Sequence, residues 1–243
     1  MIGGVTKEFV LVHGMSHGAW CWEDVQTRLE RAGHRTLAVD LPGHGRRAHE
    51  WRTASVGRYA RAVADAMMLA GFARAVVVGH SMGGIVIPKV AELVPQRVRH
   101  LVFLAAVVLP DGASILETQV PVSTRPMLRG LAAAGGGAIQ YPAAVEHARW
   151  MGDVAPGDPR AVAALARMTA QPARPWLERV PMRGFFALGV PCTYIRCRGD
   201  AAVSMAKAAE YAARLGVEPI ELDTAHGPML SAPDTLAKIL LRV

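Results

Sequence analysis

No stretch constrains this chain more than Val76-Val77-Val78-Gly79-His80-Ser81-Met82-Gly83-Gly84-Ile85. A β-branched run enters a Gly-x-Ser-x-Gly turn, and a small, apolar segment follows, so the sequence predicts a strand, a sharp turn and a helix. Gly79 and Gly83 lack the Cβ atoms that would hold strand and helix apart. Such a turn pushes the Ser81 hydroxyl clear of the backbone. The helix N-terminus behind it aims N–H groups and partial positive charge at any anion forming there. This is the geometry of a nucleophile elbow, and a serine presented in this way needs a base and an acid brought from elsewhere.

Further strands are expected at residues 9–12, 36–39, 98–108, 190–197 and 219–222, and helices at 22–32, 58–70, 204–215 and 233–241. The run Phe9-Val10-Leu11-Val12 is apolar throughout, as in a strand buried on both faces. Pro88 is expected within or just after the first turns of the elbow helix. The alternation lapses over residues 113–186, a stretch rich in Ala, Pro and Gly and too long for a loop in a compact domain. One α/β domain over residues 1–243 is therefore expected, with a mainly helical cap inserted over residues 111–188. Within it, residues 160–168 read as a helix and Gly135-Gly136-Gly137 as a turn or joint. A cap would enclose substrate and exclude water.

A chain of 243 residues that is 51% hydrophobic can bury a full core. It has no run of roughly 18 uninterrupted apolar residues, so no transmembrane helix is expected. Residues 1–8 hold no signal-peptide apolar region, which leads to the expectation of a cytoplasmic protein. Cys21, Cys192 and Cys197 are odd in number and lack metal-ligand spacing; they read as free thiols, with no metal site. The net charge of +7 comes from dispersed arginines rather than a basic block, which argues against nucleic acid as a partner.

Open parallel sheets gather their active sites beyond the C-terminal ends of their strands. Asp200 and His226 each stand just past a predicted strand, in the chain order nucleophile, acid, base that accompanies an elbow of this kind. Eight further histidines have ordinary roles or no context, and His80 is the notable one: beside the serine, its side chain should project away from the reacting centre. His13 and His17 lie in a Gly-rich loop, where ordering the loop is the expected task. Asp111 and Asp223 are the rival acids. Asp111 falls several residues beyond its strand at the start of the cap, and Asp223 is sited to brace its own loop. Asp40, in Asp40-Leu41-Pro42-Gly43, is expected to tie down that turn. The backbone N–H groups of Met15 and Met82 are the expected oxyanion donors.

Taken together, His13-Gly14-Met15-Ser16-His17-Gly18-Ala19-Trp20-Cys21-Trp22, Asp40-Leu41-Pro42-Gly43-His44-Gly45, Gly79-His80-Ser81-Met82-Gly83-Gly84 and Phe103-Leu104-Ala105-Ala106 resemble the α/β-hydrolase branch of plant methylesterases, salicylic-acid-binding esterases and hydroxynitrile lyases. Bacterial carboxylesterases belong to it too. The resemblance covers residues 9–110 and 190–243, and touches the cap chiefly around Gln171-Pro172-Ala173-Arg174-Pro175. It implies an α/β-hydrolase fold with a mostly parallel central sheet flanked by helices. It also implies a cofactor-independent serine carboxylesterase using Ser81, His226 and Asp200 on a small or aromatic hydrophobic ester. Gly14, Trp20, Trp150, Met151, Trp176 and Met229 are weaker candidates for the substrate pocket. Hydroxynitrile lyases of the branch carry threonine directly after the oxyanion-loop histidine and lysine directly after the triad histidine. Here those positions are Gly14 and Gly227, so the usual supports for cyanide are missing. A cofactor-free oxygenase and a non-enzymatic small-ligand-binding protein remain as alternatives on the same fold. The expected partner is a small-molecule ester, with neither nucleic acid nor membrane, and a homodimer is left open.

Overall fold

The computed structural model describes residues 6–243, so the expectation for the N-terminus lies outside the described residues at positions 1–5. The strands are β1 (Glu8–Val12), β2 (Arg35–Val39), β3 (Ala75–His80), β4 (Val98–Leu104), β5 (Ala138–Ile139), β6 (Gln171–Pro172), β7 (Cys192–Cys197) and β8 (Ile220–Leu222). The α-helices are α1 (Glu23–Arg31), α2 (Val56–Leu69), α3 (Gly83–Leu93), α4 (Ile115–Gln119), α5 (Arg125–Ala134) and α6 (Ala143–Trp150). They continue as α7 (Pro159–Arg167), α8 (Arg174–Leu177), α9 (Arg183–Leu188), α10 (Met205–Arg214), α11 (Pro228–Ser231) and α12 (Pro233–Leu240).

Six strands form one sheet in the order β2-β1-β3-β4-β7-β8, and every pairing in it is parallel. Successive side chains of a strand point to opposite faces, and the residues sort accordingly. Val10, Val12, Val77, Leu101 and Phe103 join one core with residues of α2 and α3. Phe9, Leu11, Val76, Val78 and Val102 join the other, against Val25 and Leu29 of α1 and Leu236 and Leu240 of α12. Both faces are covered by helices, which is why these strands read as unbroken apolar runs.

The expected helices and most strands are present with ends shifted by no more than two residues. The exception is the strand expected over 98–108. It stops at Leu104, because Ala105 turns to a φ of 45°. Ala105 to Leu109 stay fully buried as irregular chain, and an apolar run alone does not distinguish the two. Pro88 lies inside α3.

Between β4 and β7 come α4 to α9 and a two-stranded antiparallel pair, β5 with β6. The two ends of this insertion are clamped together. Gly112 N–H donates to Val180 O at 3.0 Å, Val180 N–H returns to Ala113 O at 3.0 Å, and Asp111 Oδ1 accepts from Met182 and Arg183 N–H at 2.8 and 2.9 Å. Gly135 closes α5, and Gly136 and Gly137 follow at φ of 64° and 103°, making the turn into β5. Among the described residues the cysteines are unpaired, and no helix is long and apolar enough to cross a membrane.

Candidate active site

Ser81 follows directly on β3 with a φ of 53°, in the left-handed region that non-glycine residues seldom occupy. Its own backbone is tied at both ends. Its N–H donates to Leu104 O at 3.1 Å, and its C=O accepts from Gly84 and Val107 N–H, both at 3.0 Å. The flanking glycines are required by close backbone approach. A Cβ on Gly79 would lie 2.7 Å from Gly83 O, and one on Gly84 would lie 2.4 Å from Val107 O.

Asp200 and His226 come together beyond the ends of β7 and β8. Asp200 Oδ2 accepts the Nδ1–H of His226 at 2.7 Å, and both side chains are buried. The other carboxylate oxygen accepts from Ala202 and Val203 N–H at 2.7 and 2.8 Å, so the acid cannot swing away. With Nδ1 protonated, Nε2 carries the lone pair, and that atom is buried without a hydrogen-bond partner. No hydrogen bond joins Ser81 to His226.

Three groups hold the imidazole from outside the pair. His80 Nε2–H donates to His226 O at 2.9 Å with the rings 4.7 Å apart, so its side chain supports the base from behind. Trp150, from the insertion, lies with its ring 5.0 Å from the imidazole. Asp153, also from the insertion, accepts the N–H of Ala225 at 2.8 Å. That bond corrects the expectation for Asp223. Asp223 is exposed, and the loop is braced from across the cleft instead. The other rival, Asp111, is spent on the insertion clamp.

The loop after β1 is held by histidines kept neutral. Burial lowers His17 and His44 to about 4 and holds His13 and His80 well below the ordinary imidazole value. His17 Nδ1–H donates to Met15 O at 2.6 Å, His13 Nδ1–H donates to Gly14 O at 2.8 Å, and His13 Nε2 accepts from Leu41 N–H at 3.1 Å. Gln171 of β6 reaches in from the insertion, and its Oε1 accepts from Ser16 N–H at 3.2 Å and His44 Nε2–H at 3.0 Å. Asp40 ties the same loop to its own turn, accepting from Ala19 and Arg46 N–H at 2.7 and 3.3 Å. The N–H groups of Met15 and Met82 take no part in the backbone hydrogen bonds of these turns. Both are left to meet another acceptor.

Met15, Ser81 and Met82 border a cavity of about 310 Å³. Its apolar walls include Val107 and, from the insertion, Ile115, Leu128, Trp150 and Trp176; its polar groups include Gln119, Tyr141 and Arg149. Of the pocket candidates, Trp150 and Trp176 thus border this cavity. Trp20, Met151 and Met229 do not; with His17 and Gly227 they surround a much smaller space on another side of Trp150. Gly14 backs Ser81, where an added Cβ would lie 2.8 Å from Ser81 Cβ. Sequence reasoning missed Gln119, Tyr141, Arg149 and Asp153. They come from a segment without a regular pattern, and no motif marks them.

Over residues 9–239 the chain matches the alpha/beta hydrolase family. A probable esterase of Oryza sativa subsp. indica is 45% identical over 104 residues, covering 41% of this chain and only 39% of that relative's length. Among solved structures, an extracellular alpha/beta-hydrolase from a Paenibacillus species superposes with a TM-score of 0.88 at 24% identity, over 97% of this chain and 98% of its own. That protein is described as sharing structural and functional homology with tobacco salicylic acid binding protein 2. A pyrethroid hydrolase superposes with a TM-score of 0.81 at 27% identity, over 98% of this chain and 97% of its own.

Proposed function

The chain belongs to the alpha/beta hydrolase family, and on that footing we propose that it is a serine carboxylesterase acting on a small or aromatic hydrophobic ester through an acyl-enzyme. One observation carries the reading. The buried Asp200–His226 pair commits Nδ1–H and leaves Nε2 as an unpartnered base. In this reading Nε2 takes the Ser81 proton as Oγ attacks the ester carbonyl carbon, and Asp200 stabilises the imidazolium that results. A Ser81–His226 hydrogen bond forms as substrate binds, since such catalytic bonds are commonly long or unmade in the free enzyme. The carbonyl oxygen, now an oxyanion, accepts from the Met15 and Met82 N–H groups, each good donor being worth roughly 3 kcal/mol. The tetrahedral adduct expels the alcohol, which leaves with the proton from Nε2. Water then repeats the sequence on the acyl-enzyme, releasing the acid and Ser81.

The rice relative's description as an esterase and the pyrethroid hydrolase among structural neighbours support ester hydrolysis. Trp150 and Trp176 on the cavity wall support an apolar or aromatic substrate. The insertion acts as the cap. Cyanohydrin cleavage fits less well. Gly14 and Gly227 offer no side chain to hold cyanide, and an added Cβ would lie 2.8 Å from Ser81 Cβ and 2.7 Å from Trp150 O.

The test is hydrolysis of p-nitrophenyl acetate, butyrate and octanoate by wild type and Ser81→Ala, with mandelonitrile cleavage in parallel. Turnover in wild type and a loss of at least about 10⁴-fold in the variant is expected. Equal turnover by both proteins, or cleavage of mandelonitrile alone, would overturn the reading.

A further inference from the structure

Arg149 is a cation with no carboxylate of the described residues within salt-bridge distance, on the wall of a mainly apolar cavity. It lies in the last turn of α6, next to Trp150, and its guanidinium carbon sits 5.5 Å from the Tyr141 ring centre and 5.0 Å from that of Trp150. Its Nε–H is buried and has no hydrogen-bond partner. Several arginines of the insertion are paired, Arg160 with Asp158, Arg167 with Glu23 and Arg174 with Glu178, whereas among the described residues Arg125 and Arg129 make no ion pair. Among the described residues Arg149 has no such partner. Glu146, one helical turn earlier, is turned to the indole N–H of Trp150 instead, and burial raises its carboxyl pKa. That weakens it as a counter-ion.

Arg149 is half-buried, its guanidinium flanked by two aromatic rings and bordering the cavity. A carboxylate completes the arrangement. It would accept from the terminal N–H groups of the guanidinium in the planar, two-bond geometry that favours arginine. The apolar walls would remove the competing water and strengthen the pair. The cavity, about 310 Å³, is at the small end of the range for ligand pockets, roughly 300–1,000 Å³. A compact molecule therefore meets Ser81 and Arg149 together.

We propose that the substrate is an acidic half-ester, a small ester whose acyl or alcohol portion carries a free carboxylate that Arg149 binds. The proposal rests on the serine-esterase reading and revises its substrate from a wholly hydrophobic ester to one with a charged end. Arg149 is a positioning and specificity residue, because it grips the carboxylate while Ser81 attacks the ester carbonyl at the other end.

Mono-p-nitrophenyl glutarate and p-nitrophenyl pentanoate have acyl chains of equal length and differ in the terminal carboxylate. Wild type is expected to prefer the half-ester in kcat/KM, chiefly through KM. Arg149→Gln should lower the half-ester to neutral-ester ratio by about 10- to 100-fold, and Arg149→Lys should restore part of it. A wild-type preference for the neutral ester, or a ratio unchanged in Arg149→Gln, overturns the proposal. A separate measurement keeps it apart from the esterase reading: calorimetric binding of monomethyl glutarate to Ser81→Ala and to the Ser81→Ala, Arg149→Gln double variant. Binding that needs Arg149 sustains the carboxylate site even if no ester is hydrolysed. Binding that ignores Arg149 sinks it even if neutral esters are turned over.

Discussion

Ser81 holds a φ of 53°, a conformation that costs an L-residue about 1–2 kcal/mol and persists because three backbone hydrogen bonds fix its peptide groups. At Asp200 the question is which imidazole nitrogen keeps the proton. The carboxylate accepts from Nδ1–H, so an amide in its place can present a donor there and turn the tautomer the wrong way. Asp200→Asn is therefore expected to keep the fold and lose about 10⁴-fold in kcat. Steady-state kinetics on p-nitrophenyl butyrate, beside a near-ultraviolet dichroism spectrum, reads both. A loss under tenfold with the spectrum intact would mean that another group serves as the acid.

For secondary-structure elements, two glycines in helices make opposite predictions. Gly84 lies in the first turn of α3, where a Cβ would be 2.4 Å from Val107 O, a backbone atom that cannot step aside cheaply. Gly130 lies within α5, where a Cβ would meet nothing within 4 Å. Gly84→Ala should destabilise by about 2 kcal/mol or more through overpacking, and Gly130→Ala should stabilise by roughly 0.5–1 kcal/mol through helix propensity. Urea unfolding of both variants measures the difference. Equal effects would show that the close approach of α3 to the segment after β4 is not a constraint. The insertion also acts as an element. Gln171, Trp150 and Asp153 reach from it to the loop after β1 and to the loop of His226, so its folding and the ordering of the site are coupled.

Across the whole molecule, four buried histidines set an acid limit. His17 and His44 titrate near 4 in the folded protein, and His13 and His80 below the ordinary value as well, all through burial. In the unfolded chain each titrates near 6.5. Between those values the unfolded chain binds protons that the folded one refuses. Stability is therefore full above about pH 6.5 and falls as pH drops, by up to about 1.4 kcal/mol per pH unit for each histidine, until the folded pKa is passed. Chemical denaturation from pH 8 to pH 4.5 should show a plateau above neutrality and a steep fall below it. A flat profile would mean that these imidazoles are not held neutral.

The elbow turn, the parallel alternation and the meeting of Asp200 with His226 past the strand ends were legible because each depends on local chemistry. Glycines let backbones pass closely, apolar runs mark strands covered on both faces, and a polar residue just past a strand end reaches the mouth of the sheet. The end of β4 was not legible, because an apolar run reads the same in a strand as in the buried, irregular chain after Ala105. Nor was the brace on the His226 loop: Asp223 is close in sequence, whereas Asp153 is close in space, 72 positions away. Arg149 shows the same limit most clearly. Its charge is written in the sequence, but its seat between two aromatic rings on the cavity wall arises from how the insertion folds over the sheet. The amino-acid order by itself determined the strand-and-helix framework and the strand ends beyond which Ser81, Asp200 and His226 stand. Tertiary structure alone decided which groups from the insertion meet that chemistry, because those contacts join residues that no local period relates.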